Sequence, residues 1–209
     1  MRDYEEWHHA YDDPRSSLSW RLGRVQRYLH AALDEQDGPV RIVSACSGDG
    51  RDVIGVLRDR ADAGRVTATL LELHPAIAQA ARDAAGAAGL GNVEVRTNDA
   101  GSTDAYTGAV PADVVLLVGI FGNISNADIE RTIRATPGLC TSGATVVWSR
   151  GYDIERNDVV RGWFADAGFE ELDYAEHCVD DDRTGLGMMR FVGDPVELIP
   201  GQPLFTFVR

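Results

Sequence analysis

The sequence has 209 residues, of which 44% are hydrophobic and 25% charged, as expected for one soluble domain with its own core. Its 20 basic and 33 acidic side chains give a formal charge of −13. Such a surface repels phosphate backbones and disfavours nucleic acid as a partner. Cys46, Cys140 and Cys178 are far apart in the chain, which disfavours disulfides and a zinc site, predicts no metal, and suits the cytoplasm.

The amino-terminal segment combines aromatic residues with two histidines. Tyr4, Trp7 and Tyr11 surround His8 and His9. Two interpretations are open: the segment folds over a ligand pocket as a lid, or it is a solvated tail. The density of aromatic side chains favours the lid. In that case His8 and His9 are candidate catalytic bases.

A long amphipathic helix is predicted next. Asp13 and Pro14 suit the N-cap and the first helical position, and apolar residues follow at helical spacing from Leu18 to Leu33. The helix is expected to end near Glu35. Residues 1–36 therefore form an amino-terminal segment and helix, followed by a core at 40–209 within a single domain, 1–209.

The core alternates strand and helix patterns. Strands are predicted at about 40–46, 66–72, 93–97, 113–118 and 144–149, and helices at about 50–62, 75–88, 126–136 and 156–167. Three later strand-like segments, 170–176, 187–192 and 204–208, have no helices between them. The pattern predicts an α/β fold, a Rossmann-like three-layer sandwich whose mostly parallel seven-stranded sheet ends in an antiparallel carboxy-terminal strand pair. The longest apolar run, 114–122, is too short to span a bilayer.

A glycine turn and an acidic residue stand at the ends of the first two predicted strands. Gly48 and Gly50 allow a sharp turn and close approach to a ligand, and the N–H groups at the following helix start would face that ligand. Glu72 ends the second strand, where a carboxylate accepts hydrogen bonds from ribose hydroxyls. A nucleoside-containing cofactor is therefore predicted.

The details of the turn disfavour two common nucleotide classes. Val53 occupies the position of the third glycine in the dinucleotide fingerprint G-x-G-x-x-G, which counts against NAD and FAD. The chain contains no lysine, which excludes a P-loop.

With Gly48-Asp-Gly50, Glu72 and Asn98-Asp99 following three successive strands, the sequence resembles the class I S-adenosylmethionine-dependent methyltransferases over about residues 40–192. Three segments further resemble an actinobacterial subgroup of that family with unsettled substrate. They are Cys46-Ser-Gly-Asp-Gly-Arg-Asp52, Gly119-Ile-Phe-Gly-Asn123 and Leu204-Phe-Thr-Phe-Val208.

The resemblance implies a set of site residues. Glu72 resembles the ribose ligand, Asn98-Asp99 the adenine contact, and Gly119 to Asn123 the loop beside the methyl group. Asn123 joins His8 and His9 as a catalytic candidate. The expected cofactor-binding residues are Ser44, Cys46, Ser47, Gly48, Gly50, Asp52, Glu72, Leu73, Asn98, Asp99, Ala100, Gly119 and Phe121.

Two positions depart from the family pattern. Ser44 stands where the family has an acidic residue, and Cys46 stands where it has a glycine. Asp49 or Asp52 is a candidate to supply the missing negative charge to the ammonium group of the cofactor.

The predicted function is methyl transfer from S-adenosyl-L-methionine to O or N of a small-molecule metabolite. The expected setting is the cytoplasm, with no nucleic-acid or membrane partner and with a homodimer left open. The alternative is a module that binds S-adenosylmethionine or another nucleotide without transferring a methyl group.

Overall fold

The computed structural model describes residues 11, 13, 16–151, 156–179 and 182–208. The helices are α1 (Ser17–Asp34), α2 (Val53–Leu57), α3 (Pro75–Ala87), α4 (Asn126–Ala135) and α5 (Asn157–Asp166). The strands are β1 (Val40–Ala45), β2 (Val66–Leu71), β3 (Val93–Arg96), β4 (Ala112–Leu117), β5 (Cys140–Gly151), β6 (Phe169–Val179) and β7 (Asp182–Phe191). None of the helices in these described stretches has both the length and the apolar character needed to cross a membrane.

All seven strands belong to one sheet in the order β3-β2-β1-β4-β5-β7-β6. The first five run parallel to one another, and β7 runs antiparallel to both β5 and β6. The predicted sheet and its antiparallel carboxy-terminal pair are therefore confirmed. The chain reverses its direction of travel across the sheet between β1 and β4, and ligands bind beside the carboxyl ends of strands at such a point.

Helices cover both faces of the sheet because successive strand residues point to opposite sides. In β4, Val114 and Leu116 pack with α1, α2 and α3, whereas Val115 and Leu117 pack with α4 and α5. All four side chains are buried. The two apolar layers hold the strand ends, and hence the loops that follow them, in fixed relative positions.

The helices at the amino-terminal side begin or end at residues other than those predicted. The N-cap of α1 is Ser16, whose hydroxyl accepts the Ser19 N–H at 3.1 Å, rather than Asp13. Pro14 lies outside the described residues. Helix α2 ends at Leu57 rather than near residue 62, where Asp62 instead anchors a turn by accepting from Arg60 and Arg65.

The carboxy-terminal segment, residues 201–208, corrects another prediction: 204–208 is not a strand of the sheet. It crosses the loops after β3 and β4, where Leu204 donates its N–H to the Gly101 carbonyl at 2.7 Å and Val208 donates to Asn123 at 2.9 Å. Its only ladder contacts among the described residues are isolated bridges. The neighbours Leu204 and Phe205 are both buried, which departs from the alternation of a strand.

Packing of this segment predicts a difference between its two aromatic residues. Phe205 is 5% exposed and Phe207 is 45% exposed, so Phe205→Ala is expected to lower the free energy of unfolding by about 3 kcal/mol. Phe207→Ala, the matched control, is expected to cost less than about 1 kcal/mol. Urea unfolding measures both, and equal losses would contradict the packing described here.

Candidate functional site

The turn after β1 is built from three left-handed residues. Cys46, Gly48 and Gly50 have φ angles of 52°, 58° and 73°. At Gly50 an added Cβ would lie 2.7 Å from Cδ1 of Ile54 and 2.8 Å from Cδ1 of Leu70, and the positive φ would strain any other residue, so glycine is strongly favoured there. Cys46 is the only non-glycine residue with positive φ in the described part of the chain. The sequence has cysteine where the resemblance expects glycine, and the backbone keeps a conformation that glycine adopts most easily.

Glu72 ties the glycine turn to the loop after β2. Its Oε2 accepts the Gly48 N–H at 3.0 Å, and its Oε1 accepts the His74 N–H at 2.8 Å. The Ser47 N–H adds a bond to the Leu71 carbonyl at 2.9 Å. Because each carboxylate oxygen has two acceptor directions, Glu72 can hold both loops and still accept hydrogen bonds from a ligand hydroxyl pair.

The loop after β3 approaches the same place. Asp99 is exposed, and its Oδ1 accepts the Gly101 N–H at 2.8 Å. Burial raises the pKa of the Cys46 thiol, and the charges of Glu72 and Asp99 raise it further. This shared influence reflects the convergence of the three loops. It also keeps Cys46 a neutral thiol, which is a poor nucleophile.

Apolar and backbone surfaces complete this part of the site. Leu73 is 61% exposed directly beside Glu72, so an apolar surface adjoins the carboxylate. Asn98 is also exposed, whereas Ala100 is buried and its carbonyl accepts the Tyr106 hydroxyl at 3.0 Å. The side chain of Ala100 is therefore not accessible at this site. The arrangement suits a nucleoside with its sugar at Glu72 and its base against Leu73.

The loop after β4 is braced from two sides. Gly119 has φ 77°, and its N–H donates to the Ser149 hydroxyl at 2.9 Å. The Asn123 side-chain amide donates to the Gly119 carbonyl at 2.9 Å. Phe121 is buried against Trp148 and Phe164, with ring centroids at 6.1 Å and 6.4 Å. The buried ring of Phe121 thus supports the loop, and only the backbone of this residue can reach a ligand.

Three residues that the sequence analysis did not assign to the site lie beside the glycine turn. Arg21 of α1 donates to the Tyr11 hydroxyl at 3.2 Å. The Arg51 guanidinium lies over the Tyr11 ring at 4.1 Å and pairs with Asp49 at 2.5 Å. Tyr11 therefore lies beside the turn. No sequence signal separates Arg21 from the other arginines of α1, because its position depends on how the helix packs.

Asp52 is the acidic residue of the turn with an altered pKa. Burial is the largest cause and raises the pKa to about 6; the Val53 N–H opposes the shift, the charge of Asp49 adds to it, and Arg21 opposes it. Oδ1 of Asp52 accepts the Val53 N–H at 2.7 Å. Asp49 is engaged by Arg51, so of the two candidate carboxylates Asp52 is the one left to meet a ligand.

The predicted residues fall into three groups. Most of them lie in loops at or near the carboxyl ends of β1 to β4: Cys46, Ser47, Gly48, Gly50, Asp52, Glu72, Leu73, Asn98, Asp99, Ala100, Gly119, Phe121 and Asn123. Ser44 lies within β1, where it is buried between β2 and β4. His8 and His9 lie outside the described residues. Among the residues that are described, no cluster of three or more potential metal ligands occurs.

Comparison with solved structures finds the same fold in methyltransferases. Magnesium protoporphyrin IX methyltransferase from Synechocystis PCC 6803, with bound SAM, superposes with a TM-score of 0.65 at 13% identity, over 90% of this chain and 90% of that chain. An O-methyltransferase family protein from Burkholderia thailandensis gives a TM-score of 0.55 at 19% identity, over 71% of this chain. The present chain spans 50% of that protein's length.

A third neighbour acts on RNA. The M1A22 tRNA methyltransferase of B. subtilis gives a TM-score of 0.59 at 16% identity, over 84% of this chain and 66% of that chain. The sequence matches no protein-family model and no curated protein. At these identities the likeness establishes the fold: a Rossmann-like sheet of the class I methyltransferase type.

The burial of Asp52 predicts a stability change. Its folded-state pKa of about 6 lies above the ordinary 3.8, so the folded state loses stability as the pH rises through that window. Asp52→Asn removes this loss while keeping an N-cap side chain. Because Asp52 is only half-buried, we expect a gain of about 1 kcal/mol at pH 7.5.

Denaturant unfolding between pH 4 and 7.5 tests this expectation. The gain should grow as the pH rises, and the exposed Asp37→Asn control should show none. A gain that is constant with pH, or a loss at pH 7.5, would contradict the assigned burial of Asp52.

Proposed function

We propose that the chain is a methyltransferase that uses S-adenosyl-L-methionine and transfers the methyl group to O or N of a small-molecule metabolite. The observation that carries the proposal is the double hydrogen bonding of Glu72, which holds two strand-end loops together at the switch point of the sheet. The fold likeness to methyltransferases, one of them with bound SAM, supports the same assignment.

The site residues fit the parts of this cofactor. Glu72 has acceptor capacity for the ribose hydroxyls, and the exposed side chain of Leu73 offers an apolar surface to the adenine. Asn98 and Asp99 would meet the edge of the base. The Gly119 loop would lie beside the methyl group. The cofactor, once bound, supplies an activated methyl group on a sulfonium.

The chain's own part in the reaction is to align the acceptor and exclude water. Tyr11 lies against Arg21 and Arg51 beside the glycine turn, which supports the proposed role of residues 1–13 as a lid. Asn123 donates one of its two side-chain N–H bonds to Gly119, and its side-chain carbonyl oxygen is the group that would orient an acceptor O–H or N–H. His8 and His9 stay candidate bases within the proposed lid.

The charge of the chain favours a small acceptor. With a formal charge of −13, the surface repels the phosphates of tRNA, although a neighbour of similar fold is a tRNA methyltransferase. We therefore place the acceptor among metabolites. The cytoplasmic setting and a homodimer are part of the same proposal, and size-exclusion chromatography with light scattering tests the dimer.

Radiolabelled methyl transfer tests the function. The full chain is incubated with methyl-labelled S-adenosylmethionine and a cell extract separated into small-molecule, RNA and protein fractions. Label in the small-molecule fraction is the expected result, and label confined to RNA or protein would contradict the acceptor class. Cofactor binding without any transfer would favour the non-catalytic alternative. A chain without residues 1–12 should transfer no label, and undiminished transfer would contradict the proposed lid.

A further inference from the structure

The guanidinium of Arg21 lies beside the loop after β4. Measured from the position that a Cβ would take on Gly119, Nη1 and Nη2 are each 3.7 Å away and Cζ is 3.9 Å away. Helix α1 thus places a positive charge next to the loop that follows β4, on the same side of the sheet as the glycine turn.

Most of the N–H donors of Arg21 have no acceptor among the described residues. Arg21 has five donors and gives one hydrogen bond, to the Tyr11 hydroxyl at 3.2 Å. It forms no ion pair with any of the residues that the structure describes. Arg24, which is on the same helix, pairs with Asp173 at 2.8 Å. A half-buried guanidinium without a carboxylate partner is set up to bind one from a ligand.

Asp52 places a negative group close to this positive one. Arg51, the residue before Asp52, lies over the Tyr11 ring at 4.1 Å, and Arg21 donates to the hydroxyl of the same tyrosine at 3.2 Å. Tyr11 therefore links Arg21 to the end of the turn that carries Asp52, and the charge of Arg21 lowers the pKa of Asp52 against the larger effect of burial. They are nevertheless not an ion pair: Asp52 caps Val53 with Oδ1, and Arg21 turns to Tyr11. The glycine turn and the Gly119 loop are thus flanked by one cation and one anion that do not neutralise each other directly.

We propose that Arg21 and Asp52 form a receptor for the zwitterionic amino-acid end of S-adenosylmethionine, with Arg21 on its carboxylate and Asp52 on its ammonium group. The inference rests on the proposed function. Ser44 is buried within β1 and carries no charge, so it cannot supply the acidic group that the family has at this position. Arg21 of α1 and Asp52 at the end of the turn would bind the two charged groups of the cofactor instead.

Isothermal titration calorimetry with two ligands tests the receptor. S-adenosylhomocysteine carries the amino-acid end, whereas 5′-methylthioadenosine keeps the adenosine and the sulfur but lacks that end. In Arg21→Gln we expect the affinity for S-adenosylhomocysteine to fall roughly ten- to hundred-fold, the usual effect of losing a charge-assisted hydrogen bond. The affinity for 5′-methylthioadenosine should stay unchanged. Asp52→Asn should show the same selectivity for the longer ligand.

Two further variants separate ligand binding from structural roles. Arg27→Gln makes the same charge change at an exposed position of α1 and should leave both affinities unchanged. Tyr11→Phe removes the hydroxyl that Arg21 binds but keeps the guanidinium, so binding of S-adenosylhomocysteine should persist. Melting temperatures without ligand report on folding of each variant.

The outcomes are distinguishable. Wild-type protein that binds neither ligand overturns the proposed function itself. Wild-type binding of both ligands, with Arg21→Gln weakening neither or weakening both equally, overturns the receptor while leaving the proposed function standing. An Arg21→Gln chain that loses only S-adenosylhomocysteine supports the assignment of its carboxylate to Arg21.

Discussion

The site depends on one carboxylate, that of Glu72, which is hydrogen-bonded to the backbone of two loops. The sheet brings the ends of β1 and β2 side by side, but it does not fix how the chain leaves them. Glu72 does so by accepting N–H groups from Gly48 and His74. Backbone donors at fixed positions orient the carboxylate in turn, and each of its oxygens keeps one acceptor direction for a ligand. The same group is thus a structural tie and a preformed ligand for a sugar.

Binding of the proposed cofactor would explain the backbone strain and the charges of the residues around Glu72. Cys46 holds a left-handed conformation that costs free energy for a residue with a Cβ. Asp52 keeps a raised pKa because it is withdrawn from water, and Arg21 lacks a protein carboxylate. The left-handed backbone of Cys46 and the burial of Asp52 each reduce the stability of the protein. Each is explained if a nucleoside carrying both a positive and a negative group completes the site.

The sequence predicted correctly those features of the site that depend only on residues close together in the chain. Glycines at 48 and 50 and an acid ending β2 identified the turn and Glu72, since these depend on the backbone within a few residues. Arg21 could not be found in this way, because its place beside Gly119 results from the packing of α1 on the sheet. The segment at 204–208 was predicted as a strand from its composition, whereas hydrogen bonds to Gly101 and Asn123 make it a cover over two loops.

Calorimetric titration of S-adenosylhomocysteine into the wild-type chain and Glu72→Gln tests the central claim most directly. The glutamine keeps the size of the side chain but replaces one acceptor oxygen by a donor, so it cannot serve both loops and the ribose. The account predicts binding by the wild-type chain and affinity reduced roughly ten-fold or more in Glu72→Gln. The exposed Glu170→Gln control should bind as the wild-type chain does. Equal affinity in all three proteins, or no binding by any, would contradict the account.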